Sequence, residues 1–252
     1  MERTFLYHAH ATGVSGRITL PFDEIIPVQA PAAIPVTGGY SATRVENFRY
    51  RDILSFRSAT SVVSGDFSVK NQAYETLMSA SVEGLNILGV VTADVMVARL
   101  TSRHPKDGSE PSIIPLGSYF ENLRIAGCKV DAPLNTEQFT RCAQYHEVRR
   151  TINEDPDVRA RLSHGFADVA AQPPNCALLC SLAGPVSVNC RDLKPDGHAI
   201  HVEHFGTVYL AEFLILPYSR SITMLRVELG SSVEGHISSG GGSGNGQPYP
   251  PT

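Results

Sequence analysis

Apolar and polar residues alternate along most of the chain with a period near two, the spacing that puts one face of a β-strand in a core. Thr4 to Leu20 reads as one or two strands, broken at Gly13 and Gly16. Pro21, Pro27, Pro31 and Pro35 then exclude both a helix and a central strand, so Pro21 to Gly39 is expected to be an extended, ordered arm or edge segment ending at Gly38-Gly39. Tyr40 to Val69 carries short strand-like pieces, including Arg51 to Arg57 and Ser61 to Asp66. Met78 to Leu100 is the strongest β signal, with Val82, Leu85, Ile87, Val90, Val91, Val95 and Val97, and with Gly84 and Gly89 as bends or bulges. His104 to Glu110 is a turn, and strand character returns from Ser112 to Val130 around Phe120, Leu123 and Ile125.

The period changes at Asn135. Asn135 with Gln138 three residues on has the form of a capping box, and Cys142, Tyr145, Val148 and Ile152 follow at near-helical spacing. Asp155-Pro156 starts a second helix, whose apolar stripe is Val158, Leu162, Phe166 and Val169, with Arg159, Arg161 and Asp168 opposite and Pro173-Pro174 at its end. Ala177 to Val188 is apolar with a break at Gly184-Pro185, and Ile200 to Leu229 is strand again, in at least two runs. Ser238 to Thr252 is Gly, Ser, Asn and Pro without an apolar pattern, which predicts a mobile tail. The pattern predicts a mainly β fold, a sandwich-like or barrel-like β domain over residues 1–237 with a two-helix insertion at about 135–171, followed by a flexible tail over 238–252. Ser79 to Gly84 also echoes Gly230 to Gly235, as in a fold whose halves use similar strands.

With 252 residues the chain can bury a substantial core, and 42% apolar against 18% charged residues is the balance of a folded protein. A net charge of −4 provides no basic excess for phosphate, so nucleic acid is not an expected partner. No apolar run is long and uncharged enough to span a bilayer, and Met1 to His8 lacks the basic start and apolar run of a secretory signal. That predicts a cytoplasmic protein, or an extracellular or cell-surface one if a leader has been removed. Cys128, Cys142, Cys176, Cys180 and Cys190 are odd in number, which in a reducing compartment predicts free, mostly buried thiols.

The segment Ala80-Ser81-Val82-Glu83-Gly84-Leu85-Asn86-Ile87-Leu88-Gly89-Val90-Val91-Thr92-Ala93-Asp94-Val95 resembles a pattern of the bacterial choice-of-anchor P family, S-V-x-G-L-x-(I/L)-L-G-x-(V/L)-V-x-A-(D/T). Phe120-Glu121-Asn122-Leu123-Arg124-Ile125-Ala126-Gly127 is similar to the element that follows it there, F-x-N-L-x-(V/I)-x-G. The resemblance covers about residues 78–133 and implies a β-rich, surface-associated bacterial protein. It carries over no catalytic residue.

His198, His201 and His204 concentrate imidazoles around Glu203, a ligand set for Zn²⁺ or a similar divalent metal if the side chains converge. On a strand, His198 and His204 would face one side and His201 the other. His8 and His10 share a strand face and could join them only if the terminal strands pair. Cys176, Cys180 and Cys190 lack the spacing of zinc or redox motifs, and Arg141, Arg149, Arg150, Arg159 and Arg161 read as a solvated helix face or as a dock for an acidic protein. No nucleophile elbow, phosphate loop or dinucleotide fingerprint is present in the sequence. The expected function is therefore a non-enzymatic structural protein that self-assembles as a homo-oligomer without a cofactor. In that reading the Pro21 to Pro35 arm and the terminal segments make the contacts. The alternative is a metal- or small-ligand-binding β domain, a hydrolase being one form of it, using the histidines.

Overall fold

The computed structural model describes residues 4–156, 158–159, 177–190 and 193–249. Its first strands are β1 (Thr4–Tyr7), β2 (His10–Leu20), β3 (Glu24–Gln29), β4 (Ala32–Ala33), β5 (Gly39–Tyr50), β6 (Leu54–Ser68), β7 (Ala73–Ile87) and β8 (Val91–Pro105). Short strands follow, β9 (Ser112–Ile114), β10 (Tyr119–Glu121), β11 (Arg124–Ile125) and β12 (Cys128–Asp131), then the helices α1 (Thr136–Arg141) and α2 (Tyr145–Glu154). The last part holds β13 (Leu178–Ser181), β14 (Ser187–Val188), β15 (Pro195–Asp196), β16 (Ala199–Val202), β17 (Gly206–Leu216), β18 (Ser219–Gly230) and β19 (Glu234–Tyr249).

These strands form two antiparallel sheets. The first has the order β15-β16-β17-β18-β19-β2-β3, with β1 on β19, β13 on β17 and β4 on β2. The second has the order β14-β12-β11-β8-β7-β6-β5, with β9 and β10 also on β8. β19 and β18 pack on β7 and β8, and β2 packs on β6 and β7, so the two sheets face each other as a sandwich and neither closes into a barrel. The proline-rich segment is an edge, as its composition predicts: β3 ends the first sheet with Pro27 inside it. Tyr40 to Val69 is not a set of short pieces but most of two long strands, β5 and β6, joined by a turn.

The largest departure from expectation is the C-terminal segment. Residues 238–249 are not a mobile tail but most of β19, in the middle of the first sheet between β18 and β2, so the β domain runs past residue 237. Glycine is depleted in strands because it has no side chain to pack. Here that absence is the reason for the strand. Gly240, Gly242, Gly244 and Gly246 are buried, and a Cβ on Gly240 would lie 3.3 Å from Met96 Cε. A Cβ on Gly244 would lie 3.4 Å from Thr76 Oγ1, and one on Gly246 2.2 Å from Phe5 Cζ. Met96 and Met78 of the partner sheet, and Phe5 of the neighbouring strand β1, take up space that side chains on β19 would need, while Thr76 leaves room at Gly244.

Both sheets also carry a crease. Along β19 the buried positions run Ile237, Ser239, then Gly240, Gly242, so the alternation slips by one where Gly240 takes φ +61°. The same slip occurs at Gly13/Val14 on β2, at Met224/Leu225 on β18, and at Leu210/Ala211 on β17, where Ala211 has φ +51°. The flanking pairs Leu210↔Leu225, Leu225↔Ser239 and Ser239↔Val14 place these slips in one continuous row. In the second sheet the buried positions skip instead, from Val82 to Leu85 on β7 and from Ala93 to Met96 on β8. Left-handed residues Asn47 (φ +52°), Gly84 (φ +64°) and Asn122 (φ +48°) lie along that row. One sheet thus has an extra inward row where the other has a gap, and the two nest: a Cβ on Gly13 would meet Ala59 Cβ at 2.8 Å.

The insertion starts near the expected place but is divided differently. The helix expected from Asn135 to Ile152 is split into α1 and α2, and Asn135 makes no side-chain cap bond. The capping box belongs instead to Gln144 and Glu147 at the start of α2. Asp155 does cap the next turn, its Oδ1 accepting from the Val158 N–H at 3.1 Å. Leu162, Phe166, Val169, Arg161, Asp168, Pro173, Pro174 and Cys176 lie outside the described residues. The echo between Ser79–Gly84 and Gly230–Gly235 does not mark equivalent places, since the first lies within β7 and the second spans the β18–β19 turn.

Two predictions follow from this packing. A methyl at Gly242 would meet the His10 carbonyl oxygen at 2.3 Å and Met78 Cε at 3.0 Å, so Gly242→Ala should cost about 2 kcal/mol or more in denaturant unfolding, whereas Gly244→Ala, with no contact under 3.4 Å, should stay within about 1 kcal/mol. His104 is buried against Phe5, with ring centroids 5.1 Å apart, and burial holds its imidazole down to about pKa 4. The unfolded chain takes up this proton near 6.5, so stability is complete above that pH and falls as the pH drops towards 4. The loss should reach roughly 3 kcal/mol, and His104→Leu should flatten the slope in unfolding measured across that window.

Candidate assembly interface

The structure separates the histidines. His198 sits in the turn before β16, buried, with Nε2 4.0 Å from Glu212 Oε1. His201 and His204 are exposed, and His204 has φ +59° in the β16–β17 turn rather than continuing a strand with His198. His8 and His10 are also exposed, and β2, which carries His10, is separated from β16 by β17, β18 and β19. Among the described residues no group of three His, Cys, Asp or Glu side chains converges on a point where a metal could be held.

The polar groups that do converge were not apparent in the sequence. On the outer face of the first sheet the crease leaves a furrow, because outward side chains along it are three residues apart rather than two. One bank is Thr12, Gly241, Thr223 and Glu212, and the other Ser15, Ser238, Arg226 and Tyr209. Arg226 spans it, donating to both Glu212 oxygens at 2.6 and 2.7 Å, with the Tyr209 ring 3.8 Å from its guanidinium carbon. The Glu212 bonds raise the Arg226 pKa above the ordinary arginine value. The rest of the furrow is a hydroxyl-lined depression of about 180 Å³.

Arg220 is the other unheralded cation. It is 1% exposed and donates to the carbonyls of Ile113, Cys142 and Ala143, the last at 2.7 Å, fastening β9 and the α1–α2 junction to β18. Burial lowers its pKa to about 10, which still leaves it charged at neutral pH. Of the arginines placed on the insertion, Arg159 donates to the Ile152 carbonyl at 2.9 Å and Arg149 to the Tyr145 hydroxyl at 3.4 Å, while Arg141 lies 3.9 Å from Glu137.

A depression of about 390 Å³ lies where β12 leaves the register it began with β11. Residues Ser118 to Leu123 form one wall and Lys129 to Leu134 the other. It opens at Asn122, whose side chain donates to Asp94 at 2.7 Å. The segments that carry the family resemblance are therefore crease residues: Gly84, Asp94 and Asn122 hold the second sheet's bend together.

The expectation of free thiols is corrected at one pair. Cys128 at the start of β12 is disulfide-bonded to exposed Cys190, 62 residues on, while Cys142 and Cys180 remain thiols. The two partners stand on segments that β12–β14 pairing brings side by side, which no spacing rule reveals. Buried Cys180 has its pKa pushed up to about 12 by desolvation.

One sandwich edge is formed by β3 and β5, terminal strands of the two sheets with no further strand beyond them among the described residues. They lie together: Tyr50 and Arg51 at the end of β5 both bond Glu24 at the start of β3, and Arg51 stacks 3.7 Å over Phe22. Of ten exposed large apolar residues among those described, five (Leu20, Ile25, Val28, Val36 and Tyr40) stand on this stretch. They are spread along the length of this edge, with Tyr40 at the opposite end of β5 from Ile25, and a row of exposed apolar side chains beside a strand edge is a feature of contact surfaces.

A protein-family model described as "Domain of unknown function (DUF8256)" matches residues 5–172. Comparison with curated proteins and with solved structures found no match. The matched segment contains β1 to β12 and both helices, but not β19, the strand between β18 and β2 at the centre of the first sheet.

The disulfide generates a direct check. Thiol titration without reductant should find Cys128 and Cys190 unreactive, and replacing both with serine should lower stability by about 2–4 kcal/mol, since the bridge closes a loop of 62 residues.

Proposed function

The chain belongs to the family described as Domain of unknown function (DUF8256), and on this footing we propose that it is a non-enzymatic structural β-sandwich that assembles with further copies of itself outside the reducing cytoplasm. The observation that carries the proposal is the β3–β5 edge, where Leu20, Ile25, Val28, Val36 and Tyr40 stand in solvent beside a strand with no outer neighbour. Exposing such side chains costs solubility, and burying them between subunits removes that cost. The Cys128–Cys190 bridge supports the compartment, because disulfides persist in oxidising surroundings and are rare in the cytosol. The likeness of residues 78–133 to the choice-of-anchor P pattern supports a bacterial surface setting.

Light scattering on the native protein tests this. The mass should rise with concentration from that of the 27.2 kDa chain to a defined multimer. Ile25→Glu with Val28→Glu, both at exposed positions, should keep the protein monomeric at concentrations where the native chain associates, with unfolding unchanged within about 0.5 kcal/mol. A native protein that stays monomeric at every accessible concentration overturns the reading.

A further inference from the structure

We propose that β5 pairs antiparallel with β5 of a second copy, joining two second sheets into one continuous sheet across a two-fold axis. This deepens the assembly reading and rests on it.

β5 is 12 residues long, bonded only to β6, and none of its residues is buried. Its outward N–H and C=O groups therefore form a row without strand partners. Protein edges of this length are normally blunted by proline, by a bulge, by charged side chains or by being short, and between Gly39 and Glu46 the charges are one pair of opposite sign, Arg44 and Glu46. The other terminal strand at this side is blunted: β3 has six residues and contains Pro27. β5 has no proline, and its one irregularity is left-handed Asn47, which leaves Gly39 to Glu46 as regular strand.

That stretch is suited to its own copy. Arg44 and Glu46 pair at 2.8 Å on its exposed face, so the edge presents both signs and no net charge. Antiparallel self-pairing opposes residues equidistant from the axis, and pairing the regular stretch puts the axis at Ala42 or Thr43. With the axis at Ala42, Tyr40 lies opposite Arg44 of the second copy, an aromatic ring against a cation. With the axis at Thr43, Tyr40 lies opposite Glu46, and Ala42 opposite Arg44, of the second copy. Neither register sets like charges against each other. Tyr40, 69% exposed in the single chain, is covered in both.

The experiment is backbone hydrogen exchange on the native protein at a concentration where light scattering shows monomer and at one where it shows the multimer. The amides of residues 39–46 that point away from β6 should slow at least tenfold in the multimer, while the rest of β6 and β7 is unchanged. Ala42→Lys provides the second arm. Its exposed side chain leaves the monomer fold intact, yet it sets Lys against Lys with one axis and Lys against Arg44 with the other. The dissociation constant should rise at least tenfold. A multimer without protection at residues 39–46, and indifferent to Ala42→Lys, overturns this pairing and leaves assembly through another surface standing. A protein that never associates overturns both.

Discussion

The close approach of the two sheets along β19 is the constraint on which the rest of the structure depends. Sheets packed face to face ordinarily stand about 10 Å apart, held off by side chains from both sides. Here one side supplies four buried glycines, Met96, Met78 and Thr76 of the facing sheet come down towards their backbone, and Phe5 of β1 covers Gly246 from within the same sheet. The crease fits the same geometry. An extra inward row on the first sheet is accepted only because the second sheet skips a row at the matching place. Left-handed residues on alternate strands, Ala211 and Gly240 in one sheet, Asn47, Gly84 and Asn122 in the other, let each ladder slip without losing its neighbours. Two sheets with these slips have one mutual register, which a flat pair would not have.

Other parts of the molecule are fastened to this sandwich by specific polar or covalent links. The helical insertion leaves the second sheet after β12 and is held against β18 of the first by Arg220, a buried cation satisfied by three carbonyls rather than by a carboxylate. The Cys128–Cys190 bridge ties β12 to the segment that follows β14. Arg226, Glu212 and Tyr209 close one end of the furrow that the crease opens on the outer face. The Arg220 and disulfide links join segments 62 or more residues apart, and the family-matched stretch depends on strands beyond its end: β1 and β2 pair with β19.

With the interior closed so completely, the surface left unsatisfied is at the side. One end of each sheet stops at β3 and β5, joined to each other by Tyr50, Arg51 and Glu24, with no further strand beyond them among the described residues. An apolar fringe next to a free strand edge combines the two ingredients of strand-mediated association, burial and main-chain hydrogen bonds. This gives the assembly reading a location in the fold.

Much of this was legible in the sequence. Period-two alternation with β-branched residues determined a β fold and the strand character of Met78 to Leu100, and the prolines gave Pro21 to Gly39 as an extended arm or edge segment. The switch to a 3.6-residue period at Asn135 located the helical insertion. These signals are local, because a strand or helix prints its own repeat on its own residues. What only the tertiary structure decided concerned partners. Residues 238–249 carry no apolar pattern, since their contribution to the core is the lack of side chains, and a glycine-rich run looks the same whether it is solvated or pressed against Met78 and Met96. The pairing of Cys128 with Cys190, the scattering of His8, His10, His198, His201 and His204, and the burial of Arg220 depend equally on strand order. Strand order is set by contacts between distant segments, and no single segment records it.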